Sequence, residues 1–150
     1  MKDIITAVAI IGFAAIGLSY SMLRAQSSTS RSVWDGVYTE DQAKRGQGLY
    51  SQNCAMCHGD SLAGGDEAPS LAGPEFLSNW NGLTVGDLFE RIRTSMPFNK
   101  PQSLNRETNA GILSYILSAN KFPVGQTELS SQTEVLKQIR LDAEKPDQKK

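Results

Sequence analysis

The 150-residue chain holds one histidine and two cysteines, and all three fall within the five consecutive residues Cys54-Ala55-Met56-Cys57-His58. This concentration restricts what can organise the fold. Two cysteines cannot build a disulfide scaffold or a four-cysteine zinc site, and one histidine leaves no multi-histidine metal centre. The length fits one small domain, and 15 Lys plus Arg against 16 Asp plus Glu give a net charge of -1. Near neutrality without a basic block argues against a nucleic-acid binder, whose affinity would rest on neutralising phosphates. Chemistry must come from a few side chains or from a bound cofactor.

The C-x-x-C-H spacing has a physical logic. Two thiols three positions apart can reach the two vinyl groups on one edge of a porphyrin as thioethers, and the following histidine then lies beneath the iron; this is the pattern of covalent c-type haem attachment. Three other readings compete with it. A thioredoxin-like C-x-x-C wants a strand before it, a zinc site wants a fourth strong ligand, and a Cys54–Cys57 disulfide would leave the following loop without a core.

Apolar residues recur at helical spacing in three places, and alternating strand patterns are missing. The first helix is predicted to begin at Thr39, where Thr39 and Gln42 read as a T-x-x-Q capping box, to carry Ala43, Gly46 and Tyr50 on one side, and to run into Cys54. The second starts at Thr84, with Asp87 three residues on and Leu88, Phe89 and Ile92 as its stripe, and Pro97 stops it. The third starts near Asn105, carries Ile112, Leu113, Tyr115, Ile116 and Leu117, and ends before Asn120 and Pro123. The Gly- and Pro-rich stretch Gly59 to Gly73 needs something besides its own packing to order it.

Ile4 to Leu23 is a run of 20 residues without a charge, preceded by Lys2. Ala25 suits signal-peptidase cleavage while Leu23 fits the other small-residue position poorly, so a cleaved Sec-type signal competes with an uncleaved anchor, for which about 20 apolar residues suffice. Either way the remainder is exported. The expected organisation is a signal peptide or anchor over 1–25, a linker over 26–36, a folded domain over 37–125, and an extension and tail over 126–150. The charged tail from Ala143 is expected to fray.

With these features together the chain resembles the monohaem class I cytochromes c. Gly46 and Tyr50 stand where that family has the glycine and aromatic of its N-terminal helix, and Tyr115 matches the aromatic of the C-terminal helix against which that glycine packs. Pro69-Ser70-Leu71-Ala72-Gly73 resembles the family's P-x-L-x-G segment, and the resemblance implies that the Pro69 carbonyl accepts the Nδ1 hydrogen of His58. A loop proline with no haem role is the alternative. Of the four methionines, Met1 and Met22 fall in the export segment and Met56 lies between the haem thiols. Met96 remains, and its S-M-P setting resembles the family's axial-ligand loop; an apolar gap-filler is the competing reading. Trp80 stands as a donor to a haem propionate or as core filler, and Tyr50 and Phe98 as packing residues.

The resemblance, over Val37 to Val124, implies an all-α class I cytochrome c fold with three main helices around one covalently bound haem c. Cys54, Cys57, His58, Met96, Pro69 and Trp80 are its cofactor-binding residues, with His58 and Met96 on the iron. Six-coordinate iron suits electron transfer rather than catalysis, so the expectation is a periplasmic electron carrier and no enzyme. A haem enzyme or gas sensor follows instead if Met96 does not ligate, and a membrane-tethered subunit of a larger dehydrogenase or respiratory complex if Ile4 to Leu23 is retained. Thr127-Glu128-Leu129 and Val135 to Arg140 resemble the end of small cytochromes associated with pyrroloquinoline-quinone alcohol dehydrogenases. That implies a periplasmic dehydrogenase as donor and an oxidase or another cytochrome as acceptor.

Charge is unevenly spread along the chain. Gly46 to Glu90 holds six acids and no base, whereas Arg91, Arg93, Lys100 and Arg106 stand in a stretch without acids that brackets Met96. Solvated faces are the ordinary reading of such runs. A collar that attracts an acidic partner, with Arg93 and Lys100 as its test positions, is the functional one.

Overall fold

The computed structural model describes residues 31–146. The expected signal peptide or anchor over 1–25, residues 26–30 of the expected linker and the tail after 146 lie outside the described residues. In chain order the elements are β1 (Arg31–Ser32), a 3-10 turn (Val33–Asp35), α1 (Glu40–Asn53), α2 (Ala55–His58), α3 (Pro74–Trp80), α4 (Val85–Ser95), α5 (Arg106–Ala119), α6 (Thr133–Leu136) and β2 (Ile139–Arg140). The architecture is all-α, with the three longest helices where the apolar periodicity puts them. The two short strands have no signature in the sequence because a two-residue pairing shows no alternation.

Each long helix starts at a side-chain cap. Thr84 and Asp87 form the full reciprocal box of α4, with Asp87 N donating to Thr84 Oγ1 at 3.1 Å and Thr84 N donating to Asp87 Oδ2 at 2.9 Å. Asn105 accepts from Thr108 N at 2.7 Å to start α5. At α1 only half of the expected box forms. Thr39 Oγ1 accepts from Gln42 N at 3.2 Å, but the Gln42 amide turns away to donate to Leu129 O at 3.0 Å and accept from Leu129 N at 2.7 Å. Gln42 is buried, and both of its amide atoms find partners on one distant residue, where a capping role would have occupied only one.

α1 and α5 form the most extensive helix pair. At their crossing a Cβ on Gly46 would stand 1.9 Å from Gly111 O and 3.2 Å from Tyr115 Cβ. The close approach therefore depends on Gly46, the glycine singled out in the sequence, which faces the backbone carbonyl of Gly111. Tyr50 and Tyr115 pack beside the crossing with ring centroids 5.3 Å apart.

The expected linker is corrected over 31–36. Ser32 and Val33 are buried, Trp34 meets Phe122 edge-on at 5.0 Å, and β1 pairs in parallel with β2, Arg31 opposite Ile139 and Ser32 opposite Arg140. Trp34 Nε1 donates to Asp142 O at 2.9 Å and Ser32 Oγ to Asp142 Oδ2 at 3.0 Å. The C-terminal extension belongs to the same core, because Leu129, Leu136, Ile139 and Leu141 are buried in one cluster with Leu88, Phe89, Leu113 and Leu117. Its apolar residues lacked a period because they serve an extended path. Ala143, where fraying was expected to begin, donates to Asn81 Oδ1 at 2.9 Å.

Candidate functional site: the haem-attachment turn

The end of α1 delivers the motif. Cys54 caps that helix through its N–H to Tyr50 O at 2.8 Å, and the single turn α2 carries Ala55 to His58 directly after it, with His58 N donating to Cys54 O at 3.0 Å. Both thiols and the imidazole are thus set by one turn whose start is fixed by a capped helix. The Tyr50 hydroxyl donates to Gly59 O at 2.7 Å and pins the chain just past His58. Burial raises the pKa of that hydroxyl well above the ordinary phenol range.

His58 is 8% exposed, and its Nδ1 lies 2.8 Å from Pro69 O. A carbonyl can only accept, so this contact selects the tautomer protonated at Nδ1 and leaves the Nε2 lone pair free for a metal. The loop reaches Pro69 through Gly64, whose φ is +72° and where a Cβ would lie 2.6 Å from Ala68 O and Ser70 N. Only glycine tolerates both conditions. Gly64 N donates to His58 O at 2.9 Å and Leu71 N to Leu62 O at 2.8 Å. Asn120, read from sequence only as a helix stop, accepts from Gly73 N and donates to Leu71 O, each at 3.0 Å. Bonds from α5 and from the loop's own backbone therefore order the Gly59 to Gly73 stretch.

The thiols are free, Cys54 half-buried and Cys57 exposed. Burial, followed by the neighbouring Cys57, pushes the Cys54 thiol up to about 11. That is opposite to the depressed pKa of an exchange-active C-x-x-C thiol. Among the described residues no group of three or more His, Cys, Asp or Glu side chains converges as a metal-binding cluster. Two separated thiols and one tautomer-fixed imidazole fit a haem, with Cys54 and Cys57 as thioether donors. Leu71, Leu77, Trp80, Met96 and Leu104 are only partly buried against the core, which leaves apolar surface for a macrocycle to cover.

Met96 is the C-cap of α4, its N–H donating to Ile92 O at 2.9 Å, and its side chain is half-buried. Trp80 ends α3 half-buried, its ring centroid 6.4 Å from that of Phe76. Met56 is 95% exposed. Phe98, expected to pack, is 86% exposed, a correction traceable to its place in the loop after Met96, outside the helices. A groove between α1, α5 and the extension, bordered by Gln42, Leu49, Thr108, Gly111 and Leu129, includes none of the motif residues.

Among known families, the one described as cytochrome C oxidase, cbb3-type, subunit III matches residues 41–116, which takes in the motif and most of both crossing helices. The chain belongs to this family of c-type cytochromes. The cytochrome is also similar to a chain in the crystal structure of the sulfane dehydrogenase SoxCD from Paracoccus pantotrophus. The two are 25% identical, with 84% of this chain and 68% of that chain covered and a TM-score of 0.50. No curated protein matches it. An all-α cytochrome c fold with covalently bound haem c, and electron transfer as its function, follow from the family and the motif.

Proposed function

We propose that this cytochrome is an exported, monohaem one-electron carrier of the class I type, with His58 and Met96 as axial ligands, passing electrons from a periplasmic dehydrogenase to an oxidase or a second cytochrome. The observation that carries the reading is the 2.8 Å contact of His58 Nδ1 with Pro69 O, which aims an imidazole of fixed tautomer from the turn that holds both thiols. When bound, the haem supplies a one-electron ferric–ferrous couple. Cys54 and Cys57 would hold it covalently, the Pro69 carbonyl keeps His58 oriented, and Met96 would supply the second protein ligand. The half-buried Trp80 would donate its indole N–H to a propionate. A histidine and a methionine together would raise the potential and would saturate the iron with protein ligands, which suits a carrier without a substrate of its own.

Support for a dehydrogenase as donor comes from two sides: likeness to a chain of a sulfane dehydrogenase structure, and the resemblance of Val135 to Arg140 to cytochromes associated with quinoprotein alcohol dehydrogenases. The segment Ile4 to Leu23 makes the carrier soluble if cleaved near Ala25 and tethered if retained. Among the described residues no helix is long and apolar enough to cross a membrane.

The test is the ferric spectrum of protein purified from its host. A weak charge-transfer band at the red end of the visible range reports methionine sulfur on iron, and Met96→Ala should abolish it and lower the potential. A band that survives in the variant excludes Met96 and reopens the haem-enzyme reading. The intact mass of the same preparation reports the N-terminus, and retention of Met1 in washed membranes would replace the soluble carrier by a tethered subunit.

A further inference from the structure

We propose that the C-terminal extension is a latch on the ligand loop, in which Thr133, held between Glu90 of α4 and Arg106 of α5, closes the base of the loop that begins at Met96 and thereby positions Met96. The inference rests on the axial role proposed above for that methionine.

The extension runs antiparallel along α4, one helical turn at a time. Leu141 exchanges backbone bonds with Gly82 and Leu83, each at 2.8 Å. Four residues earlier, Lys137 lies so close to α4 that a Cβ on Gly86 would stand 2.6 Å from Lys137 N. Four residues earlier again, the Thr133 hydroxyl donates to Glu90 Oε1. Thr133 Oγ1 also accepts from Arg106 Nη2 at 2.6 Å.

Arg106 is the first residue of α5, so it stands where the loop rejoins the helices. Its Nε donates to Ser131 O at 2.8 Å, and its guanidinium lies 5.1 Å from the centroid of the Phe89 ring. Arg93 holds Glu90 from the other side, with Nη2 at 2.7 Å from Oε2. The two helices that flank the loop from Met96 to Asn105 are thus joined below it through a hydroxyl that donates to Glu90 and accepts from Arg106, beside the direct contact of Arg106 with Phe89. On the returning side Asn109 Nδ2 donates to Leu104 O at 3.1 Å and Asn105 O at 2.9 Å, which secures the second end. Fixing both ends of a loop reduces the conformations into which its ligand can swing.

The test uses the ferric holoprotein, full length after processing, titrated with imidazole while the methionine–iron band is followed. Thr133→Val keeps the shape and removes the hydroxyl. It should bind imidazole about three- to tenfold more tightly than the parent, the range expected from losing one hydrogen bond that holds the loop closed. Thr133→Ser should behave like the parent. Arg106→Lys keeps the charge but loses the planar fork whose separate nitrogens reach Ser131 and Thr133, so it should shift affinity in the same direction and gives a second handle if the valine variant does not fold. Tyr38→Phe removes a buried 2.5 Å bond to Phe122 O outside this network. It should lower the melting temperature and leave imidazole affinity unchanged. Unchanged affinity in the Thr133→Val and Arg106→Lys variants, or an equal shift in Tyr38→Phe, would overturn the latch alone. A parent protein without the band would overturn the axial role of Met96 and the latch with it.

Discussion

Glu90 accepts hydrogen bonds from both α4 and the extension, first from Arg93 and then from Thr133, and these hold its carboxyl down at about 2 against an ordinary 4.5. Between those two values the unfolded chain takes up a proton that the folded chain refuses. The stabilisation is therefore complete above about 4.5 and is lost as pH falls through about 2. Glu90→Gln should flatten the acid limb of a stability–pH curve measured by denaturant titration, with the difference from the parent largest near neutral pH and shrinking toward pH 2. Parallel curves would mean that the carboxylate gains nothing from its partners. Residues such as Glu90 and Thr133 could not be paired from sequence, because their contact joins positions 43 apart with no local pattern. Cys54, Cys57 and His58 were legible because covalent attachment along one porphyrin edge requires them to be neighbours in the chain as well as in space.

At the scale of elements, the glycine pair at the α1–α5 crossing separates two effects that look alike in sequence. A Cβ on Gly46 would meet the Gly111 carbonyl at 1.9 Å, and backbone cannot yield, so Gly46→Ala should cost about 1 to 3 kcal/mol or more from overpacking. A Cβ on Gly111 would crowd the flexible Leu49 Cδ1 tip at 3.1 Å and make an ordinary contact with Gly46 Cα at 3.8 Å. There the gain of roughly 1 kcal/mol in helix propensity offsets the crowding, and Gly111→Ala should be close to neutral. Gln47→Ala, on the exposed side of α1, is the control. Denaturant midpoints decide it: equal loss in the Gly46 and Gly111 variants would show that the crossing yields at neither residue. The three long helices were readable because their caps and apolar stripes are local, as at Thr84 with Asp87 and at Asn105. The extension was not. Leu129, Leu136, Ile139 and Leu141 pack along an extended path, whose partners on α4 and β1 set the spacing.

For the molecule as a whole, the near-neutral net charge of -1 conceals a division that folding modifies. Of the four bases that bracket Met96, Arg93 is paired with Glu90 at 2.7 Å and the two cancel at a distance, while Arg106 is drawn into the latch with Thr133. Arg91 and Lys100 remain exposed and outside the ion pairs of the described residues. The collar expected at Arg93 and Lys100 is therefore recentred on Arg91 and Lys100, since changing Arg93 would also release the Glu90 carboxylate and disturb the loop base. If these two cations steer an acidic partner toward Met96, they act mainly on the association rate. The Arg91→Gln, Lys100→Gln double variant should then be reduced more slowly by the native donor at low ionic strength, by about threefold or more, with an unchanged methionine–iron band. The difference should shrink above about 0.15 M salt, where the Debye length is about 8 Å. Stopped-flow reduction across a salt series measures this. Equal rates at low salt would leave the two cations as solvated surface, and a faster variant would put a positive surface on the partner, opposite the acidic stretch that includes Asp60, Asp66 and Glu67.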